Sequence, residues 1–246
     1  SCTGLGLMIQ IQIFFEQLIA SSDFLQTTLE HFDAFQTNDK IYTGAIQNHT
    51  RYSFVDHGVI CFEPIHGTNP NYNLVLSSGI HGDETAPVEL CNEIIKRFFT
   101  REIITQTRVL FIFGNLKAMS KGKRFVDYNL NRLFSGQYQN IDAGYETKRA
   151  RKIEKYVTDF FKSNPSGQHL HYDLHTAIRP SKIEKFAIYP YLNPNKTEKK
   201  YSKQQLEFLV SSDVHTVLLS HAPTFTFSYF TSSTFDADSF TIELGK

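Results

Sequence analysis

Cysteine is scarce in this 246-residue chain: Cys2, Cys61 and Cys91 are odd in number and far apart. That argues against a disulfide framework and against a cysteine-rich metal site, and makes a reducing cytoplasm the expected location. Net charge is lacking as well, with 25 Lys+Arg against 25 Asp+Glu. A balanced chain has no broad footprint for nucleic acid or an anionic membrane, so any anionic partner must be met by local charge. Long uninterrupted apolar runs are missing too. Leu5 to Ala20 is broken by Gln10, Gln12, Glu16 and Gln17, and no basic residue precedes it. It is expected to be neither a signal peptide nor a membrane span but an amphipathic element packed on the domain. No repeat, low-complexity tract or Gly/Ser linker divides the sequence. The composition, 41% apolar and 20% charged, is that of a globular chain long enough for a sizeable core.

Strands are expected to alternate with helices. Tyr52 to Glu63, Asn73 to Ser78, Arg108 to Phe113, His169 to Leu174, Lys185 to Tyr189, Val214 to Ser220 and Ser239 to Leu244 read as strands. Between them, Val88, Cys91, Ile94, Ile95 and Phe98 recur at helical spacing after Thr85, which can cap, and Pro87. Ala150, Ile153, Val157 and Phe160 mark a second helix over Glu146 to Phe161, and Ser202 to Ser211 a third. The fold class is therefore α/β, with a mixed, mostly parallel sheet between helices. In such sheets, sites form beyond the carboxyl ends of strands.

Three strand ends carry chemistry. In Ser77-Ser-Gly-Ile-His-Gly-Asp-Glu84, His81 and Glu84 lie three apart on the turn that opens a helix, where both can reach one ion. An ordinary Gly-rich turn with a capping acid would look the same. In His169-Leu-His-Tyr-Asp-Leu-His175, period 2 sets His169, His171, Asp173 and His175 on one face, with His175 last. Asp173 can orient a ligating imidazole from behind; His171 is the rival ligand, unless it is a hydrogen-bonded core histidine. In Phe240-Thr-Ile-Glu-Leu-Gly245, Glu243 stands on the polar face near the strand end, either facing a cleft or simply solvated. Two histidines and a glutamate with a free fourth position form the ligand set of hydrolytic zinc sites, and an imidazole-dominated set without sulfur favours zinc over magnesium or calcium. Basic residues gather between the ligand segments, from Lys117, Lys121, Lys123 and Arg124 to Asn131 and Arg132, and Arg179 follows His175 by four. Arginine forks grip carboxylates with two bonds, although a charged loop is more often a solvated surface.

Four segments together resemble the succinylglutamate desuccinylases, in the aspartoacylase branch of the zinc carboxypeptidase-like amidohydrolases. They are Gly79-Ile-His-Gly-Asp-Glu-Thr-Ala-Pro-Val-Glu89, Arg124 to Phe134, Asp173-Leu-His-Thr-Ala-Ile-Arg179 and Thr241-Ile-Glu-Leu-Gly-Lys246. They occur in family order from about residue 50 onward; residues 1–50 carry no such resemblance and read as an extension packed on a catalytic domain of residues 51–246. The resemblance implies that His81, Glu84 and His175 hold one zinc ion and that Glu243 is the catalytic acid/base. It also implies that Arg124, Asn131, Arg132 and Arg179 hold substrate carboxylates. The implied reaction is hydrolysis of N2-succinylglutamate to succinate and glutamate, the last step of arginine degradation by the succinyltransferase route. The implied partner is thus a small anionic N-acyl amino acid, with neither nucleic acid nor membrane involved. Family members continue past Glu-Leu-Gly into a smaller β-rich domain, so this chain, ending at Lys246, is expected to be the catalytic part of something longer. The rivals are an aspartoacylase-like or carboxypeptidase-like hydrolase and an inactive metal-binding module.

Overall fold

The computed structural model describes residues 2–67, 70–177 and 183–245. Two helices lead, α1 (Cys2–Ser21) and α2 (Phe24–His31). Three antiparallel strands follow: β1 (Tyr42–Ile46), β2 (Thr50–Asp56) and β3 (Val59–Pro64). Then come β4 (Tyr72–Ser78), α3 (Thr85–Phe99), β5 (Arg108–Phe113), the short α4 (Leu116–Ser120), α5 (Tyr145–Lys162) and β6 (Gln168–His175). The chain closes through β7 (Phe186–Tyr189), α6 (Lys203–Ser211), β8 (Val217–Leu219), α7 (Phe227–Phe235) and β9 (Asp238–Glu243).

All nine strands form one sheet in the order β1-β2-β3-β5-β4-β6-β9-β7-β8. Its heart, β5-β4-β6-β9, is parallel, and antiparallel pairs flank it on both sides. Central strands are buried on both faces, so they read as continuous apolar runs: Arg-Val-Leu-Phe-Ile-Phe in β5 is buried throughout. The pleat sends alternate side chains to two cores. Val109, Phe111 and Phe113 join Phe14, Leu18, Phe24, Val88 and Ile95 from α1, α2 and α3. Leu110 and Ile112 meet Ile153, Val157 and Phe160 of α5 and Phe227 and Phe230 of α7 on the other side.

Three expectations change. Tyr52 to Glu63 is not one strand but the hairpin β2–β3, turned at His57-Gly58, where Gly58 takes φ +73°. Only glycine adopts that backbone without strain, so Gly58 directly after the polar pair Asp56-His57 was the available signal. The strand expected over Val214 to Ser220 shrinks to Val217–Leu219 at the sheet edge. In addition, α7 forms from Phe-Ser-Tyr-Phe-Thr-Ser-Ser-Thr-Phe, a segment with weak helix propensity, because Phe227 and Phe230 are buried against Phe134.

The N-terminal helix anchors through Phe14 and Leu18, both fully buried, with Ile11 and Phe15 beside them. Its other side exposes Leu5, Met8, Ile9, Ile13 and Ile19. Among the described residues, Gly4–Ser21 is the one helix long and apolar enough to cross a membrane, by length and composition alone.

Candidate metal and active site

The site grows from the carboxyl ends of β4, β6 and β9. Strand register aligns them: Ser77 of β4 pairs with Asp173 of β6, Asp173 pairs with Thr241 of β9, and one step up the same face His175 pairs with Glu243. In parallel strands, residues at one level face the same way, so the pairing alone sets the expected base next to an expected ligand. The loop after β4 brings the rest. Gly79 takes φ +64° and Gly82 donates its N–H to the Arg124 carbonyl at 3.0 Å. A Cβ on Gly82 would lie 2.5 Å from backbone atoms of Ala118 and Met119, so only glycine lets the turn seat His81 beside α4.

Glu84 is the N-cap residue of α3, yet its carboxylate caps nothing. It accepts instead from the cluster. His81 Nδ1 lies 2.9 Å from Oε1, His175 Nδ1 lies 3.0 Å from Oε2, and the Thr176 N–H donates to Oε2 at 3.2 Å. All three side chains are buried, and their ligand atoms lie within 4.8 Å of one another. The outer nitrogens decide which atoms are free for a metal. His81 Nε2 lies 3.0 Å from Asn129 Oδ1 and His175 Nε2 2.8 Å from Asp173 Oδ2, so each outer nitrogen has an oxygen to hold its hydrogen, and Nδ1, which faces Glu84, is the nitrogen that would ligate an ion once its own hydrogen is displaced. Two imidazole nitrogens and a carboxylate, each ring held from behind by an oxygen acceptor, fit a zinc ion with an open fourth position. His171, the rival ligand, lies outside this cluster: Ser77 and Thr231 occupy its two nitrogens.

Without an ion the cluster holds a proton. Burial works against charge on His175, but Asp173 and Glu84 overcome it and push its pKa up to about 10. Burial likewise opposes charge on Glu84, yet hydrogen bonds from His175 and His81 hold its pKa well below the usual carboxylate range. The sign for metal binding follows. At pH 7 to 8 the metal-free site carries the His175 proton, which an ion must displace. Zinc uptake is therefore expected to release about one proton, with affinity rising roughly tenfold per pH unit toward pH 10. Calorimetric titrations in two buffers of different ionisation enthalpy measure this directly; heats independent of buffer would contradict it.

Above the cluster opens a cavity of about 760 Å3. Arg124, Asn131, Arg132 and Glu243 all line it. Arg124 Nη1 donates to Glu84 Oε1 at 3.1 Å, which leaves the rest of its fork for a ligand. Asn131 Oδ1 accepts the Phe227 N–H at 3.0 Å, which turns its amide donors toward the cavity. Arg132 Nη1 donates to the Asn131 carbonyl at 2.9 Å. Glu243 has a buried Oε2 with no hydrogen-bond partner among the described residues, and burial raises its pKa. Arg179 lies outside the described residues.

Several functional residues escaped the sequence reading. Asn129 orients His81 while also accepting the Asn131 N–H. Ser220, Thr224, Thr226, Ser228 and Thr241 give one cavity wall a row of hydroxyls; the alternation Thr224-Phe-Thr-Phe-Ser228 was their signal. The arginine loop is held by Glu146, fully buried in the first turn of α5. It accepts the N–H groups of Val126, Asp127 and Tyr128 at 2.6, 3.0 and 3.3 Å, and the Asn115 amide at 3.0 Å. Glutamine there has a single acceptor oxygen and strands at least one of these donors, so Glu146→Gln is expected to cost about 1–3 kcal/mol in urea unfolding.

The mixed sheet sandwiched by helices is a fold shared with the metallo-carboxypeptidases. A metallo-carboxypeptidase from Pseudomonas aeruginosa superposes with a TM-score of 0.54 over 89% of this chain and 58% of its own, at 13% identity, a likeness of fold alone. Residues 70–246 match the succinylglutamate desuccinylase/aspartoacylase catalytic domain, and the chain belongs to that family. A succinylglutamate desuccinylase from Shewanella putrefaciens is 48% identical over 234 residues, 94% of this chain and 65% of that protein. The solved structures of succinylglutamate desuccinylases from Vibrio parahaemolyticus and Chromobacterium violaceum each superpose with a TM-score of 0.79. Their identities are 33% and 35%, covering 91% and 92% of this chain and 73% and 66% of theirs. The chain thus spans just under two thirds of the length of the Shewanella relative. Coverage of 94% also reaches well into the first fifty residues, where the motifs showed no resemblance.

Proposed function

We propose that this domain is the catalytic part of a zinc-dependent amidohydrolase that cleaves N2-succinylglutamate to succinate and glutamate, closing arginine degradation by the succinyltransferase route in the cytoplasm. The observation that carries the reading is the register pair His175–Glu243, which puts an unpartnered carboxylate beside the metal cluster and inside the arginine-edged cavity. Zinc, when bound, lowers the pKa of a coordinated water from about 15.7 toward ~7 and polarises an amide carbonyl. The chain supplies the rest. Glu243, its proton affinity raised by burial, accepts the proton of the attacking water and hands it to the departing glutamate nitrogen. Arg124 and Arg132 bind substrate carboxylates, and the fixed Asn131 amide donates one more hydrogen bond. N2-succinylglutamate brings three carboxylates and acetylaspartate only two; Arg179 is the proposed third cation.

Side-by-side hydrolysis of N-succinylglutamate, N-acetylaspartate and a hippuryl peptide tests the assignment. Fastest turnover of N-succinylglutamate is expected. A faster rate on either of the others would reassign the domain to an aspartoacylase-like or a peptidase activity.

A further inference from the structure

The face of the sheet that carries His175 and Glu243 is polar for two rows beneath them. Ser77, Asp173 and Thr241 form the row below, and His171 and Ser239 the next, where Val75 of β4 is the apolar exception. His171, Asp173, Ser77 and Ser239 are completely buried, with α7 laid over them through Phe227 and Thr231. Burying so many polar groups is costly unless each finds a partner, and here the partners form one chain. Ser239 Oγ lies 2.8 Å from Thr231 Oγ1, which lies 2.7 Å from His171 Nδ1. His171 Nε2 lies 2.8 Å from Ser77 Oγ, which donates to Asp173 Oδ1 at 2.6 Å. Asp173 Oδ2 accepts from His175 Nε2.

Counting protons gives this chain a direction. Ionised Asp173 can only accept, so the one Ser77 proton goes to it and Ser77 Oγ must accept from His171. His171 therefore carries its hydrogen on Nε2. Burial pushes the His171 pKa down to about 4, so the ring is neutral at pH 7 and Nδ1 offers only a lone pair. Thr231 then donates to it rather than to the Ser228 carbonyl 3.1 Å away, and Ser239, whose other acceptor is the Ala237 carbonyl at 3.4 Å, donates to Thr231. From Thr231 through His171 to Ser77, every hydrogen then points toward Asp173.

We propose that Ser239, Thr231, His171 and Ser77 act as a directional relay of positioning residues that fixes Asp173 and so keeps His175 in the tautomer whose Nδ1 faces the metal seat. This rests on the zinc reading above. The relay makes His171 a remote determinant of metal affinity, although it touches neither an ion nor the substrate.

Zinc dissociation constants from chelator competition on the purified chain provide the test. Ser77→Ala and His171→Leu are each expected to raise the constant about tenfold, the usual worth of outer partners of a metal ligand. The double variant is expected to fall no further than Ser77→Ala, because both changes interrupt one chain. His171→Gln, whose amide nitrogen can stand where Nε2 does, should return the constant to within about threefold of the native value. A core-packing role predicts the reverse, with glutamine at least as harmful as leucine. Should His171→Leu fail to fold, Thr231→Val removes only the donor to Nδ1 and is expected to weaken zinc in the same sense. Proton–nitrogen NMR of the native chain should find His171 with its hydrogen on Nε2 from pH 5 to 8. The Nδ1–H tautomer, or variant constants all within twofold of native, would overturn the relay. A native chain that binds no zinc would sink the metal reading first and the relay with it.

Discussion

Glu243→Gln is expected to lower turnover of N-succinylglutamate by about 10²–10⁴-fold, the range a positioned general acid/base contributes, while the protein keeps its zinc. The separation of the two effects is the informative part. Glu243 is absent from the His81–Glu84–His175 cluster, so the amide swap leaves the ligand atoms in place. Its raised pKa comes first from burial, and its Oε2 meets no donor among the described residues. Such a carboxyl holds a proton more readily than a solvated one and can pass it on, which an amide cannot. Glutamine is isosteric and neutral, so it removes proton transfer with little change in shape. Zinc analysis together with steady-state kinetics checks both halves, and undiminished turnover would remove Glu243 from the chemistry.

His175→Ala is expected to abolish stoichiometric zinc and, with it, activity. The substitution deletes a ligand nitrogen, and it also strips Asp173 of the partner that faces it at 2.8 Å. Asp173 is completely buried, and its pKa is held down, against burial, chiefly by His175. Removing one side of a buried ion pair typically costs about 3–5 kcal/mol, so the metal-free variant should also unfold earlier in urea than the metal-free native chain. Metal analysis after dialysis decides the first point. One equivalent of zinc surviving the substitution would place the ion elsewhere. His171 is a poor substitute, because Ser77 and Thr231 already hold both of its nitrogens.

The grouping of the candidate metal cluster was legible in the amino-acid sequence because its residues sit at or just beyond strand ends, where a short string records residue type, spacing and the change from strand to loop. His81 and Glu84 are three apart, and Asp173 and His175 are two apart, so local periodicity fixes their relative direction. Longer-range relations were not legible. Nothing in Arg124-Phe-Val-Asp-Tyr-Asn shows that its backbone N–H groups end on Glu146, or that Asn129 points at His81, because those partners are set by packing. The helix α7 was missed for the same reason: a Ser/Thr-rich run gains its helicity from two phenylalanines buried under α5, not from propensity. The β2–β3 hairpin was hidden because its strands are joined through His57 and Gly58 alone, too short a turn to interrupt a strand-like run.

The site residues come from distant parts of the chain: Glu84 and His175 of the proposed ligand set are 91 residues apart, and Glu243, the proposed acid/base, comes later still. They meet only when β4, β6 and β9 have paired side by side, and parallel pairings of such separation form late and slowly because a long loop must close first. The unfolded chain therefore offers zinc little more than the isolated His81–Glu84 pair. Nearly all of the binding free energy then falls on the native state, about 4 kcal/mol at a thousandfold excess of free zinc over its dissociation constant. A bound ion would act as a late clasp on the sheet. Zinc added during refolding should leave the early phases unchanged and slow only the escape from the finished fold.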